Sequence, residues 1–184
     1  MTRIIAGAAG GRRLQTPPGA GTRPTSDRVR EALFSRLESW DAIEGRHVLD
    51  LYAGSGALGL EAASRGAASV LLVEHDRRAA AVVRRNAAEL GLRTARVLPT
   101  TVLRALETEP PAPVGLVFLD PPYDVGEEAL AQVLAALVAW LADDALVVVE
   151  RSSRSPQPTW PEGLAAVGDK RYGETVLWYA EPTG

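Results

Sequence analysis

Residues 48–59 read Val48-Leu49-Asp50-Leu51-Tyr52-Ala53-Gly54-Ser55-Gly56-Ala57-Leu58-Gly59. An apolar run that contains one acid leads into a glycine-rich turn, and a segment rich in alanine and leucine follows at once. This order predicts a strand, a tight turn and the start of a helix. Glycines permit positive φ and let the backbone approach a ligand, and the unpaired N–H groups of a helix start point into the same space. The stretch therefore predicts a site for a nucleotide-like cofactor.

The same turn leaves two cofactor classes open. Gly54, Gly56 and Gly59 satisfy the G-x-G-x-x-G pattern of dinucleotide-binding folds, and Glu74 follows at the distance expected of a ribose-binding acid. Asp50 favours another cofactor, because a carboxylate at the mouth of the strand suits a cationic amino-acid group and is poorly placed beside a pyrophosphate. S-adenosylmethionine carries such an ammonium group. The alternative for Asp50 is structural, as a helix cap or the partner of an arginine.

The composition is that of a globular chain. Of 184 residues, 46% are hydrophobic and 23% charged, and this length predicts one domain with an ordinary core. The absence of cysteine excludes disulfides, cysteine-ligated zinc and the covalent cysteine route to carbon-5 methylation of pyrimidines. Charges interrupt every long apolar stretch and no signal-peptide core is present, so we expect a cytoplasmic protein with no membrane partner.

Charge is distributed unevenly along the chain. The net charge is −3, yet residues 1–39 contain seven arginines against three acids. A basic front end on an acidic body can bind a phosphate backbone locally. A solvated basic face explains the same distribution equally well, so charge alone leaves both interpretations open.

From Val48 onward, strand and helix patterns alternate at the spacing of βαβ units, which predicts an α/β fold with a parallel sheet between helices. Five strands are predicted over Val48–Tyr52, Ser69–Glu74, Arg93–Leu98, Val114–Leu119 and Ala145–Glu150. The helices between them are predicted over Ala57–Arg65, Asp76–Leu90, Thr101–Glu107 and Glu127–Leu141. Two further strands, Leu164–Val167 and Thr175–Ala180, are expected to form an antiparallel edge.

The first 40 residues have a pattern of their own. Residues 3–7 and 12–16 flank a turn of small residues and predict a short hairpin. A helix follows that Thr25 or Ser26 can cap. The apolar stripe of this helix leaves several of its arginines off the packed line and exposed, namely Arg28, Arg30 and Arg36.

An acid also ends the second predicted strand. Glu74 lies where a nucleotide-binding fold needs a carboxylate for the ribose hydroxyls. Asp76 immediately precedes the next helix and is better suited to cap it. His47 and His75 are isolated, with no metal-ligand spacing around them, so we expect no metal site.

A second motif, Asp120-Pro121-Pro122-Tyr123, ends the fourth predicted strand. Two prolines stop the strand and stiffen its exit, which holds the Asp120 carboxylate, the Pro121 carbonyl and the Tyr123 ring in fixed relation. A doubly wound sheet places its first and fourth strands side by side, with the cleft at their carboxyl ends. We therefore expect this motif and the glycine-rich turn to face one pocket. A loop start without chemistry is the alternative.

Both motifs resemble those of known enzymes. Residues 50–56 resemble motif I of the class I S-adenosylmethionine-dependent methyltransferases, and residues 120–123 resemble the D/N-P-P-Y/F motif of enzymes that methylate exocyclic amines of nucleobases. An amine conjugated with its ring is a poor nucleophile. Acceptors on its two hydrogens, here Asp120 and the Pro121 carbonyl, draw the nitrogen lone pair towards the methyl group. Tyr123 would stack on a base that has left its helix or loop.

Further segments sharpen this likeness. Arg3–Gly7, Thr22–Phe34 and Tyr172–Thr175, taken with both motifs, are similar to the bacterial ribosomal small-subunit RNA guanine-N2 methyltransferase family over nearly the whole chain. The resemblance implies a Rossmann-like, mostly parallel seven-stranded sheet, S-adenosylmethionine as cofactor, and methylation of one guanine in 16S rRNA within a partly assembled small subunit. We expect a monomer whose single domain consists of an RNA-facing extension, residues 1–40, and a catalytic core, residues 41–184.

The predicted site residues follow from the motifs and from this resemblance. The catalytic residues are Asp120, Pro121 and Tyr123. The cofactor-binding residues are Asp50, Tyr52, Gly54, Ser55, Gly56, Glu74 and Thr101. The residues expected to face RNA are Arg12, Arg13, Arg23, Thr25 and Arg28.

The chain departs from the family pattern at two places. The turn Ala8–Gly10 lacks basic and aromatic residues, which weakens a role for this turn in holding RNA. Pro99–Val102 offers hydroxyls where many relatives have an acid near the adenine, so a backbone N–H could recognise the adenine instead.

Three alternatives to an RNA guanine-N2 methyltransferase remain from the sequence. A DNA adenine-N6 methyltransferase uses the same four-residue motif, although we expect no separate DNA-reading domain within these 184 residues. A silent RNA-binding assembly factor would leave Asp120 and Tyr123 unexplained. An NAD-dependent oxidoreductase explains the glycines but neither Asp50 nor the second motif.

Overall fold

The computed structural model describes residues 2–17 and 26–184, in which five α-helices and seven strands are present. The helices are α1 (Asp27–Ser39), α2 (Ala57–Ser64), α3 (Arg77–Glu89), α4 (Val102–Leu106) and α5 (Glu127–Leu137). The strands are β1 (His47–Asp50), β2 (Ser69–Val73), β3 (Ala95–Leu98), β4 (Val114–Leu119), β5 (Leu141–Ser152), β6 (Leu164–Tyr172) and β7 (Thr175–Pro182). None of these helices is long and apolar enough to cross a membrane.

The strands form one sheet in the order β3-β2-β1-β4-β5-β7-β6. Neighbouring strands among the first five are parallel, whereas β7 pairs antiparallel with both β5 and β6. The prediction of a Rossmann-like α/β fold with an antiparallel edge is therefore confirmed. The order also places β1 directly beside β4, as expected, and this pairing determines where the functional site lies.

Apolar side chains cover both faces of the sheet. On one face, Leu116 and Phe118 of β4 belong to the same buried cluster as residues of α1, α2 and α3. On the other face, Val117 and Leu119 of β4 join residues of α4 and α5. All six residues of β4 are buried, because helices cover the sheet on both sides, and this is why the strand is continuously apolar.

The N-terminal segment, residues 2–17, packs into the first of these two buried clusters. Ile4 and Leu14 are buried in the same cluster as Leu33 and Phe34 of α1. The predicted hairpin is reduced to one antiparallel bridge, Arg3 with Arg13, supported by backbone hydrogen bonds on either side. The segment makes its other hydrogen bonds mainly to helices. It therefore packs over α2 and α3 and does not form an independent β-hairpin.

The expectation that Arg30 is exposed is wrong. Its side chain is fully buried, and Nη2 donates to the backbone oxygen of Arg3 at 2.7 Å and to Asp27 Oδ1 at 2.7 Å. Nη1 lies 3.6 Å from Glu61 Oε1, whose side chain is also fully buried. The N-terminal segment covers this face of α1. The apolar periodicity of the helix alone cannot predict that another segment buries this side chain. Ser26 caps the helix, its Oγ accepting from the Val29 amide.

The largest differences from the predicted boundaries lie at β5 and β6. The helix expected to reach Leu141 ends at Leu137, since Leu141 pairs with Val114 and begins β5 instead. The strand expected to end at Val167 continues to Tyr172, because it is paired along its length with β7. Strand pairing overrides local preference at both places.

Candidate active site

The two sequence motifs lie at one edge of the sheet. Asp50 of β1 is in register with Phe118 of β4, and the Leu51 amide donates to the Phe118 carbonyl at 3.0 Å. Neighbouring strands are about 4.8 Å apart. The glycine-rich turn after β1 and the Asp120 motif after β4 therefore leave the sheet side by side, at the carboxyl ends where ligands of such folds bind. The two motifs share one edge of the sheet, as the strand order predicts, and their facing one pocket stays a prediction.

The glycine-rich turn has the backbone conformation that the sequence predicted. Gly54 has φ of 58° and Gly56 has φ of 83°, values that disfavour any side chain. A Cβ at Gly56 would also lie 2.9 Å from Val83 Cγ1, so the turn packs closely against α3. Gly56 itself precedes the first residue of α2, and the unpaired N–H groups of that helix face the turn. Ser55 is half-buried between the two glycines.

Asp50 lies beneath the turn, buried to 1% exposure. Its Oδ2 accepts from the Gly59 amide at 2.9 Å, whereas Oδ1 has no hydrogen-bond partner among the residues that the structure describes. Burial raises the pKa of Asp50 to about 7, although the bond from Gly59 lowers it, and the negative charge of Glu74 adds to the rise. A buried carboxylate with one free oxygen is costly unless a positive group binds it.

Glu74 ties the turn to the end of β2. Its Oε1 accepts from the Gly54 amide at 2.9 Å and its Oε2 from the Asp76 amide at 2.8 Å. A carboxylate offers about four acceptor positions, so sites for ribose hydroxyls remain. Asp76 caps α3 as predicted, its side chain accepting from the Arg78 and Ala79 amides.

The hydroxyl of Thr101, a residue predicted to contact the cofactor, caps a helix. Thr101 is the N-cap of α4, with Oγ1 accepting from the Arg104 amide at 3.3 Å. The residue is exposed, and it follows β3 at the same edge of the sheet. A role beside the adenine stays a prediction.

The loop after β4 differs in exposure from one residue to the next. Pro121 is buried, Asp120 is half-buried, and Tyr123 is 75% exposed. The Val125 amide donates to the Pro122 carbonyl at 3.0 Å, which closes a turn just beyond the motif. The ring of Tyr123 therefore faces solvent, where it can receive a planar group.

Sequence reasoning missed Arg151 at the end of β5. This arginine is buried, its Nη2 donates to the Val125 carbonyl at 3.3 Å, and it forms an ion pair with Glu127 at the start of α5. Burial raises the pKa of Tyr52, and the positive charge of Arg151 offsets part of that rise. Arg151 thus lies near Tyr52, which precedes the glycine-rich turn, and donates a hydrogen bond to the loop after β4. Its only sequence signal is a cation separated by one residue from the apolar run of residues 145–149.

Of the five residues predicted to face RNA, three are described by the structure, and all three are exposed. Arg23 and Thr25 lie outside the described residues. Arg13 and Arg28 are exposed, and Arg12 is exposed while its Nη2 donates to the Glu89 carbonyl at 2.9 Å, at the end of α3. These three arginines are therefore available at the surface of the N-terminal segment and of α1.

The two histidines have ordinary neighbours. His47 Nδ1 lies 2.7 Å from Ser69 Oγ, and His75 Nδ1 lies 3.5 Å from Glu74 Oε2. Within residues 2–17 and 26–184, no group of three or more histidine or acidic side chains could hold a metal ion.

Comparison with known proteins identifies the family. The family model described as conserved hypothetical protein 95 matches residues 2–181. The chain belongs to this family. The ribosomal RNA small subunit methyltransferase D of Escherichia coli K12 is 40% identical over 186 residues, spanning 99% of this chain and 91% of that protein.

Solved structures agree with this assignment. The candidate methyltransferase yhhF from Escherichia coli has a TM-score of 0.87 and 36% identity, covering 100% of this chain and 98% of its own. An RNA methyltransferase from Salinibacter ruber, solved with S-adenosyl-L-homocysteine, has a TM-score of 0.68 at 20% identity, covers 88% of this chain and 95% of its own, and shows the fold alone. The chain is a methyltransferase of the class I fold, for which the sequence predicts S-adenosylmethionine as the cofactor.

The turn fits that cofactor. Asp50 offers a buried oxygen that lacks a hydrogen-bond partner among the described residues, and an ammonium group would satisfy it. Gly54 leaves the backbone bare, since a Cβ there would come no closer than 4.0 Å to any atom beyond its chain neighbours, so a ligand can come close, whereas the bare side of Gly56 is filled by α3. Glu74 supplies a carboxylate at the end of the neighbouring strand. The dinucleotide alternative gives Asp50 no such partner.

Proposed function

We propose that this protein transfers a methyl group from S-adenosylmethionine to the exocyclic N2 amine of one guanine in 16S rRNA of the small ribosomal subunit. The observation that carries the proposal is the register of β1 with β4, which brings the cofactor turn and the Asp120 motif to one edge. The name of the relative from Escherichia coli supports an rRNA substrate. The choice of guanine N2 rests on the resemblance of residues 120–123 to amine-methylating enzymes.

The cofactor is assigned to the residues around the first turn. Asp50 would bind its ammonium group, Glu74 the ribose hydroxyls, and Gly54 to Gly56 would pass beneath it, with Tyr52 and Ser55 beside them. S-adenosylmethionine supplies an activated methyl group on a positively charged sulfur. Thr101 is proposed near the adenine, since it follows β3 at the same edge.

Asp120, Pro121 and Tyr123 are proposed to hold the acceptor base. The Asp120 carboxylate and the Pro121 carbonyl accept the two hydrogens of the amine, which turns its lone pair out of conjugation and towards the donor. Tyr123, exposed at the mouth, stacks on the ring of a guanine that has left its helix or loop. Alignment of two bound groups accounts for much of the acceleration in such a site.

Proton transfer follows the attack. As the new C–N bond forms, the bond between the methyl group and sulfur breaks and neutral S-adenosylhomocysteine is left. The amine nitrogen is then positively charged and strongly acidic, so it needs no base beforehand. Asp120 accepts one of its hydrogens already and can take the proton, as can water.

RNA binding is assigned to the basic N-terminal part. Arg12, Arg13 and Arg28 are exposed, and their charges can contact phosphates. Arg23 and Thr25 are proposed to belong to the same surface. The substrate is proposed to be a partly assembled small subunit, and the monomer stays a prediction.

The decisive experiment is mass mapping of 16S rRNA nucleosides from cells with and without the protein. Loss of one N2-methylguanosine, restored by the purified enzyme and labelled cofactor on subunits from the deletion strain, is the expected result. Transfer to adenine in duplex DNA instead would establish the DNA enzyme. Unchanged rRNA with no turnover on subunits would favour a silent assembly factor.

A further inference from the structure

A buried asparagine connects the N-terminal segment to the cofactor turn. Asn86 of α3 is 1% exposed, and its Oδ1 accepts from the Gln15 amide at 2.9 Å. Its Nδ2 donates to the Gln15 carbonyl at 3.0 Å and to the Ser55 carbonyl at 3.5 Å. One side chain therefore binds both backbone groups of a residue in the N-terminal segment and a carbonyl of the glycine-rich turn.

The chemistry of this position requires a carboxamide. Asn86 faces one donor and two acceptors, and only an amide side chain presents an acceptor oxygen and two donor hydrogens together. An aspartate would place a negative charge against two carbonyl oxygens. Asparagine is a poor helix former, and Asn86 lies in the last turn of α3, where its buried side chain bonds to groups outside the helix.

Residues 5–9 of the N-terminal segment form a separate set of hydrogen bonds with α2. Glu61, fully buried, accepts from the Ile5 amide at 2.8 Å and the Ala6 amide at 3.1 Å. Ser64 Oγ accepts from the Ala9 amide at 2.9 Å and donates to the Ala6 carbonyl at 2.6 Å. These bonds hold the segment in place, but they end on the segment and do not include the cofactor turn.

We infer that Asn86 is a positioning residue that uses the docked N-terminal segment to fix the cofactor turn at Ser55. The amide group can serve Ser55 only while Gln15 orients it, since two of its three bonds go to that residue. Docking of residues 12–16 against α3 therefore strengthens cofactor binding. The inference rests on the proposed function for its meaning in catalysis, since that segment would also face the RNA.

The test compares S-adenosyl-L-homocysteine affinity by calorimetry, without RNA, in two variants of Gln15. Both Gln15→Ala and Gln15→Pro lose the side chain, but only Gln15→Pro loses the N–H that orients Asn86. One net hydrogen bond corresponds to roughly a fivefold effect. We expect Gln15→Pro and Asn86→Ala each to bind about fivefold more weakly than Gln15→Ala. At saturating cofactor their kcat should return towards the wild-type value, because only the KM for the cofactor changes.

Ser64→Ala is the matched structural control. It removes two hydrogen bonds between α2 and residues 6–9 of the same segment. It should therefore lower the melting temperature and leave the dissociation constant for S-adenosyl-L-homocysteine within about twofold of wild type. Equal affinities for Gln15→Pro and Gln15→Ala would overturn the inference. If Gln15→Pro does not fold, an equal loss of affinity in Asn86→Ala and Ser64→Ala would overturn it, since that would be general loosening. A wild type that binds the ligand but methylates no RNA would refute the proposed function alone.

Discussion

The turn after β1 and the loop after β4 lie side by side, yet they are built in opposite ways. The first turn rests on buried groups, with Asp50, Glu74 and Asn86 each bonded to its backbone or to the helix that follows it. The second loop carries Tyr123, which is 75% exposed, and Arg151 donates a hydrogen bond to the loop at Val125.

The difference follows from what each loop must receive. A small cofactor can be bound by backbone groups fixed in advance, so the interior supports that turn. A nucleotide of a large RNA must enter from solvent, so its stacking platform has to lie at the surface. Substitutions should therefore separate the two loops, with cofactor affinity changed at the first and turnover or RNA affinity changed at the second.

The largest effect is expected at Asp120. Asp120→Ala removes an acceptor from the reacting amine and should lower kcat by at least about 100-fold. The dissociation constant for S-adenosyl-L-homocysteine should stay at the wild-type value in calorimetry. Asp124→Ala, an exposed acid in the same loop, is the control and should keep its activity. Near-normal turnover in Asp120→Ala would remove this residue from the mechanism.

Tyr123 should come next. Tyr123→Ala removes the stacking surface, and base–aromatic stacking contributes about 1–3 kcal/mol, so kcat/KM for the subunit should fall about tenfold to 100-fold. Tyr123→Phe keeps the ring and should lose little. Cofactor affinity should be the same in both variants. If the alanine and phenylalanine variants lost activity alike, the hydroxyl and not the ring would matter.

Asp50 should make cofactor binding depend on pH. Below its pKa of about 7 the folded chain keeps this carboxyl protonated, and the ammonium group needs the ionised form. Affinity for S-adenosyl-L-homocysteine should therefore rise by roughly tenfold from pH 5.5 to pH 7, and level off about one pH unit above that, where the carboxyl is almost fully ionised. Asp50→Asn should bind more weakly with no such rise, while the exposed Asp143→Asn keeps the wild-type profile. A flat wild-type profile would contradict the ammonium assignment.

Arg151 should give the smallest effect. Arg151→Met removes the hold on Val125 and leaves Glu127 unpaired, so we expect a loss of about 1–3 kcal/mol in the free energy of unfolding. Turnover should fall several-fold with little change in cofactor affinity. Arg154→Met, exposed three residues later, is the control in both the melting and the kinetic assays. A selective loss of cofactor affinity would place Arg151 with the first turn instead.

Local sequence patterns were enough for the elements that carry the motifs. Val114–Leu119 was predicted with its observed bounds, because a strand buried on both faces is continuously apolar and ends at two prolines. Asp76 was predicted as a cap, since capping depends on a residue and its nearest neighbours. The positive φ of Gly54 and Gly56 follows from the same local chemistry.

The errors concern residues whose partners are far along the chain. Arg30 was expected in solvent and is buried, because residues near Arg3 and the side chain of Glu61 cover it. The helix expected to reach Leu141 gives way to a strand that pairs with Val114. No window of neighbouring residues contains these partners.

The sequence by itself determined the order of strands and helices, the cofactor turn and the Asp120 motif, since each depends on adjacent residues. Only the tertiary structure decided that Asn86 joins Gln15 to Ser55 and that Arg151 holds the loop after Pro122. Such contacts arise when a polar side chain is buried beside backbone groups tens of positions away, since a buried polar group without a partner is costly.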